Sequence, residues 1–179
     1  MDKFEIKFVK YFNHLGGRRL DVFLGFINSI RFLAFFWIML VLFAVVRDPE
    51  IAKSFLIAVS LVAILHFGIT EGILKHLLLY VIPKRKRPYA AYPEMIKPIG
   101  KKFSDSSFPS SHMTTTVAMF FVITFFYPSV IIPAIILVFL MAFSRLHNGM
   151  HYPSDILVGI ILGIAYGLAA FEFMRVFAL

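Results

Sequence analysis

Long apolar runs alternate with short polar breaks along this chain. Near the N-terminus, Phe4, Phe8, Tyr11, Phe12 and Leu15 recur at helical spacing opposite Lys3, Lys7 and Lys10. That pattern predicts an amphipathic helix lying in a membrane interface, ended by Gly16-Gly17. The apolar stretch from Leu20 to Ile30 is short, meets Arg31, and reads as a lead-in to the first span. The first clear span is expected from about Phe32 to Val46, closed by Arg47-Asp48-Pro49-Glu50. A second runs from about Lys53 towards Ile82, where Pro83 must interrupt a helix. A third covers His112 to Tyr127, a fourth Val130 to about Phe143, and a fifth Asp155 to Phe177. Gly159, Gly163 and Gly167 line one face of the fifth and read as a packing stripe for a close neighbouring helix.

The reading is therefore an all-α, polytopic membrane helical bundle of five to six spans with an N-terminal interfacial helix. Residues 1–179 form one membrane-embedded domain, in which 1–19 make the interfacial helix and 84–108 a basic loop. Composition agrees: 60% of residues are hydrophobic, 16% are charged, and mean hydropathy is +0.84. A chain of 179 residues cannot bury so much apolar surface in a core of its own. The N-terminal MDKFEIKFVKYF lacks the apolar core of a cleavable signal peptide, so the first span is expected to direct insertion.

Net charge is +8, and seven of the 18 basic residues fall between Lys84 and Lys102. Such a cluster beside apolar spans suits anionic headgroups or phosphate, although charged loops that set topology look the same. With no soluble domain to present a basic surface, nucleic acid is not an expected partner. The absence of cysteine excludes thiolate metal sites and cysteine nucleophiles.

Three polar constellations break the apolar pattern, each at a span boundary, and the alternating direction of the helices puts all three on one side of the bilayer. The first is Lys84-Arg85-Lys86-Arg87-Pro88, where planar guanidinium forks suit phosphate oxygens. The second is Phe108-Pro109-Ser110-Ser111-His112, directly before a helix whose unpaired N–H groups favour an anion. His112 there is placed to give a proton to a leaving group. A simple Pro/Ser helix cap would have the same sequence. The third runs from Ser144-Arg145 through His151 to Asp155. Pro153 suits the first turn of a helix, and Asp155 can reach back towards His151 to sharpen it as a nucleophile. A polar turn between helices is the plainer alternative.

Together these pieces resemble the type 2 phosphatidic acid phosphatase superfamily of membrane lipid phosphatases. Its pattern is Lys-(six residues)-Arg-Pro, then Pro-Ser-Gly-His, then Ser-Arg-(five residues)-His-(three residues)-Asp. The third element matches in full at Ser144, Arg145, His151 and Asp155. The second matches at Pro109, Ser110 and His112, with Ser111 in place of glycine. The first matches at Arg87-Pro88, but Tyr80 stands where the lysine belongs. Lys75, Lys84 and Lys86 are the candidates to replace that charge. Lys84 and Lys86 are favoured, because Lys75 can pair with Glu71 within its own helix.

The resemblance implies hydrolysis of a lipid phosphate monoester or diphosphate without metal or other cofactor. His151 attacks phosphorus to form a phosphohistidine, Asp155 orients it, and His112 serves as acid and then base. Arg87, Arg145, Ser110, Ser111 and a lysine hold the phosphate. Small bacterial relatives of this kind act on undecaprenyl diphosphate, phosphatidylglycerophosphate or the 1-phosphate of lipid A. The expected partners are the bilayer and the lipid phosphate, with no obligate protein partner. Tyr89, Tyr92 and Phe103 are expected at headgroup level.

Three alternatives stay open or are set aside: a phosphotransferase on the same scaffold, a non-catalytic headgroup-binding membrane protein, and a vanadate-dependent haloperoxidase, against which the spans argue. The resemblance places the site on the extracytoplasmic face of the cell inner membrane. Counting basic flanks places it in the cytoplasm, but charges retained for phosphate chemistry are poor witnesses to topology.

Overall fold

The computed structural model describes residues 2–77 and 83–177. Tyr80 and Ile82, which entered the reading of the second span and of the Lys-Arg-Pro element, lie outside the described residues. Among those residues the chain is all helical, with no strand. In order come α1 (Asp2–Asn13), α2 (Arg18–Ile27), α3 (Ile30–Arg47) and α4 (Pro49–Leu65), which continues as a π-helical segment, His66–Leu74. Then follow α5 (Pro88–Ala91), α6 (Ser111–Phe126), a 3-10 turn at Pro128–Val130, α7 (Ile131–His147) and α8 (Pro153–Val176). Four helical stretches, Ile30–Arg47, Pro49–Leu74, Pro128–His147 and Pro153–Val176, are long and apolar enough to cross a membrane; α6 is apolar but shorter.

Local chemistry explains most of the boundaries. The Ser29 hydroxyl accepts the Phe32 N–H at 3.2 Å and caps α3. Pro49 and Pro153 occupy first turns, where the missing N–H costs nothing. Three departures from the sequence reading follow from such signals. The lead-in stretch is a separate helix, α2. The second span starts at Pro49, because Asp48-Pro49 opens a helix before the apolar run begins. The fourth span continues past Phe143 to His147, so Ser144 and Arg145 lie on the last helical turn and not in a polar loop.

The core is formed by α4, α6 and α8, through Phe55, Ala58, Val62, Ala118, Val122, Tyr166 and Ala170. Outward faces of the bundle carry exposed Phe35, Phe43, Ile132, Phe139 and Leu157. An apolar exterior on this scale calls for a lipid covering. On α1, Phe4 and Tyr11 point outward at 73% and 64% exposure, while Glu5, Ile6, Val9 and Asn13 are buried against the bundle. The Asn13 side chain fastens the end of α1: its Nδ2 donates to the carbonyls of Lys97 (2.9 Å) and His147 (2.6 Å), and its Oδ1 accepts the Lys97 N–H (2.8 Å).

The glycine stripe of α8 faces α6 directly. A Cβ at Gly159 would meet Met113 Cβ and the Ser110 carbonyl, both at 2.8 Å; at Gly163 it would meet Val117 Cβ at 2.6 Å, and at Gly167 the Phe121 ring at 2.5 Å. Only hydrogen at these positions lets the two backbones come this close, and that approach fixes the start of α6 against the start of α8. Gly163→Val is expected to lower the thermal midpoint of the purified protein in detergent, through overpacking of about 1–3 kcal/mol. An unchanged midpoint would mean that the helices separate without cost.

Candidate active site

The spacing of the third constellation has a structural cause. At the end of α7, Gly149 takes φ +66°, which favours glycine. Its N–H bonds the Leu146 carbonyl at 2.9 Å, and the Met150 N–H bonds that of Arg145 at 3.2 Å. This is a Schellman stop. It turns the chain so that His151 follows Arg145 at the same end of the bundle, two residues before Pro153 restarts helix. Asp155 then sits at the third helical position, where its Oδ2 accepts the Tyr152 N–H at 2.9 Å.

A cavity of ≈ 990 Å³ collects the predicted residues: Lys75, Arg87, Ser111, His112, Arg145 and His151 all line it. The same cavity runs on as an apolar groove between α3 and α4, along Leu33, Trp37, Val41, Val59 and Val62. Lys75, Arg87 and Arg145 are 4%, 4% and 2% exposed. The buried Nε atoms of Arg87 and Arg145 find no hydrogen-bond partner among the described residues.

The tautomer of His151 follows from its neighbours. Its Nδ1 lies 2.7 Å from the Ser107 carbonyl, which can only accept, so Nδ1 carries hydrogen. Its Nε2 lies 3.3 Å from Arg87 Nη1, which can only donate, so Nε2 presents its lone pair on the cavity side. Burial, reinforced by the charges of Arg145, Arg87 and Lys75, holds the imidazole well below its ordinary pKa of 6.5. Asp155 Oδ2 stands 3.6 Å from Nδ1, an ion-pair distance, so the direct orienting bond comes from Ser107. His112 Nε2 faces the Asn28 carbonyl at 3.2 Å. The Asn28 side-chain oxygen in turn accepts from Arg145 Nη1 (3.0 Å) and from the Ser144 hydroxyl (3.1 Å).

Several expected placements differ. Lys84 and Lys86 are exposed and do not line the cavity; Lys75 does, because the π-helical segment widens the turn that ends at Leu74. Its Nζ lies 3.6 Å from Glu71 and 3.1 Å from Asp105. The Ser110 hydroxyl is buried without a partner among the described residues, and its N–H goes to the Asp155 carbonyl at 3.1 Å. The Ser111 hydroxyl donates to the Glu71 carboxylate. Tyr89 is buried, its hydroxyl donating to the Phe103 carbonyl at 2.7 Å, so it does not sit among headgroups. His147, left without a role by the sequence, is buried between the Phe12 carbonyl and Asp21, each at 2.9 Å.

Sequence reasoning did not find Ser107, Asn28, Asp105 or Glu5, named Glu71 as a partner of Lys75 alone, and gave Arg85 no contact of its own. Arg85 carried a signal only as one of four consecutive basic residues. Asp105 bridges two cavity cations, Lys75 and Arg87 Nη2, the latter at 2.7 Å. Burial works against its charge, but Lys75 and Arg87 overcome that and bring the carboxyl down to about 2. Its contribution to stability is therefore complete above the ordinary aspartate value of 3.8 and lost as pH falls through about 2.

Fold and cavity together define a class: a helical bundle with membrane-length helices, holding histidines and buried cations at one end. The profile of the PAP2 superfamily matches residues 53–177, and the chain belongs to that superfamily. Undecaprenyl-diphosphatase BcrC of Bacillus subtilis (strain 168) is 30% identical over 112 residues, 62% of this chain and 57% of that protein. The chain thus spans little more than half the length of this relative. Decaprenylphosphoryl-5-phosphoribose phosphatase of Mycobacterium tuberculosis (strain ATCC 25618 / H37Rv) is 30% identical over 135 residues, 73% of this chain and 67% of that protein. The crystal structure of Aquifex aeolicus LpxE has the same fold, with a TM-score of 0.67 at 20% identity over 94% of this chain and 95% of that one.

Because Asp105 occupies the two cations an incoming anion would use, Asp105→Asn is expected to tighten binding of inorganic phosphate about fivefold at neutral pH, through removal of a nearby like charge. Calorimetric titration reads this directly; weaker binding in the variant would mean that Asp105 organises the cations for the anion instead.

Proposed function

We propose that this chain is a multi-pass membrane lipid phosphatase that releases phosphate from a polyprenyl phosphate or diphosphate through a phosphohistidine. The observation that carries the reading is one continuous cavity, cationic and histidine-bearing at one end and apolar along α3 and α4. That shape suits a molecule with a phosphate head and a long hydrocarbon tail. Two relatives named for polyprenyl-linked phosphates, BcrC and the decaprenyl enzyme, favour that substrate class.

In the proposed reaction the Nε2 lone pair of His151 attacks phosphorus, and the bond from phosphorus to the leaving lipid oxygen breaks. His112, protonated, gives its Nε2 proton to that oxygen. Water then attacks the phosphohistidine, His112 takes its proton, the N–P bond breaks, and inorganic phosphate leaves. Arg87, Arg145 and Lys75 stabilise charge on the non-bridging oxygens as it develops. Ser107 and Asp155 keep the His151 lone pair aimed into the cavity. Pre-positioning of nucleophile and acid in one cavity supplies the orientational part of catalysis.

Phosphate release from a panel led by undecaprenyl diphosphate, with EDTA present, tests the reading. His151→Ala is expected to abolish turnover, and His112→Ala to lower it by about 10²–10⁴-fold. Full activity in His151→Ala would overturn the reading; loss of activity to EDTA would overturn its metal-free form. The acid limb of kcat/KM reports the free enzyme, and because His151 must be neutral to attack, that limb is expected below the ordinary histidine value of 6.5. The site is proposed to face the extracytoplasmic side. A cysteine at exposed Lys102 is then expected to react with an impermeant thiol reagent in intact cells, whereas labelling only after lysis would place the site inside.

A further inference from the structure

The N-terminal helix reaches the site through one buried carboxylate. Glu5 is 6% exposed, although Phe4 and Phe8 beside it on α1 face outward. Its Oε2 lies 2.7 Å from Arg85 Nη2, and its Oε1 accepts the Ser154 N–H at 3.0 Å. Arg85 Nη1 donates to Asp155 Oδ1 at 2.6 Å and to the Ser154 hydroxyl at 2.8 Å, and its guanidinium lies 4.1 Å over the Tyr152 ring. Every link is short, and Asp155 is wholly buried. Arg85 is thus clamped on three sides by α1, the start of α8 and an aromatic face. Asp155 has no freedom to swing away from His151.

We propose that Glu5 and Arg85 are positioning residues of this site: they hold Asp155, and through it His151, so that α1 is a working part of the catalytic apparatus. The inference rests on the phosphatase reading above. Glu5 lies outside the segment, 53–177, that matches the superfamily profile, whereas Arg85, Ser154 and Asp155 lie within it.

Charge supports the geometry. Glu5 is buried, which opposes ionisation, yet its bonds from Ser154 and the Arg85 charge hold its carboxyl below the ordinary value. It stays ionised and neutralises part of Arg85. The groups facing His151 are Arg87 and Lys75 at the cavity rim, Arg145 from α7, His112 from α6 and Asp155 from α8. Removing Arg85 leaves Asp155 less neutralised, which favours the imidazolium. Removing the Glu5 charge does the reverse. A pair of variants that merely loosened the fold would not shift the two profiles in opposite directions.

The test uses the full chain in lipid vesicles with undecaprenyl diphosphate, comparing wild type, His151→Ala, Glu5→Gln, Arg85→Met and the double variant. Each single neutral variant is expected to lower kcat about tenfold with KM within about twofold, and the double variant to be little worse than either. The acid limb of kcat is expected to move up by about half a pH unit in Arg85→Met and down by less in Glu5→Gln. Wild-type kcat and pH profile in both variants would overturn the proposal. If the neutral variants are not recovered, Glu5→Asp and Arg85→Lys keep the charges but break the spacing. Lowered kcat at an unmoved acid limb then supports the clamp, and wild-type kcat overturns it. Failure of wild type itself to release phosphate would refute the phosphatase reading instead, and this inference with it.

Discussion

Positive charge held away from water governs this molecule. Lys75, Arg87 and Arg145 sit almost fully buried at one end of an apolar bundle, where isolated cations are costly. The protein answers each one incompletely. Lys75 has Glu71 and Asp105, Arg87 has Asp105, and Arg145 bonds the uncharged amide oxygen of Asn28. Three cations with so little matching negative charge leave a cavity whose field favours an incoming anion with several oxygens. The rest of the architecture serves to keep those cations dry and close together.

Close helix packing does that work. Because Gly159 and Gly163 admit the backbone of α6, His112 and His151 share one cavity although one belongs to α6 and the other to the turn before α8. The loop ahead of α6 is drawn onto the same turn by backbone bonds from Tyr89 to Gly149 and Ile99 to Asn148, and is tied across itself by one from Ser107 to Arg85. These bonds explain how a segment with little regular structure still delivers Arg87 and the Ser107 carbonyl accurately. An apolar core alone would not specify such a loop; backbone hydrogen bonds to a rigid turn do.

Much of this was legible in the sequence, for reasons that can be named. The convergence of three polar breaks follows from counting span directions, and the turn from Arg145 to Asp155 follows from Gly, Pro and Asp, each of which has a fixed conformational role. Lys75 is a candidate in the sequence but ranks below Lys84 and Lys86 because it can pair with Glu71; it lies 3.6 Å from Glu71 and lines the cavity all the same, just after a π-helical segment that helical periodicity does not anticipate. Asn28 and Asp105 were invisible because nothing in a single polar residue within an apolar or basic stretch says which distant cation it meets, whereas Glu71 was legible as a local partner of Lys75. Glu5 drew no notice, since an amphipathic pattern cannot tell a helix with one lipid-facing side from one that also docks a second side.

The two nitrogens of His151 show how these levels meet in a single side chain. One nitrogen is spent on structure: Nδ1–H is tied to the Ser107 carbonyl with Asp155 behind it, and Asp155 is itself tied to the start of α8 and to Arg85. The other nitrogen is left to chemistry, its lone pair beside Arg87 and in reach of the cavity. A guanidinium there cannot take the lone pair permanently, because an anion bound in the cavity offers Arg87 a stronger, charge-assisted partner than a neutral imidazole does. In the proposed reaction, an anion bound in the cavity would draw Arg87 from Nε2 and free the lone pair for attack on phosphorus.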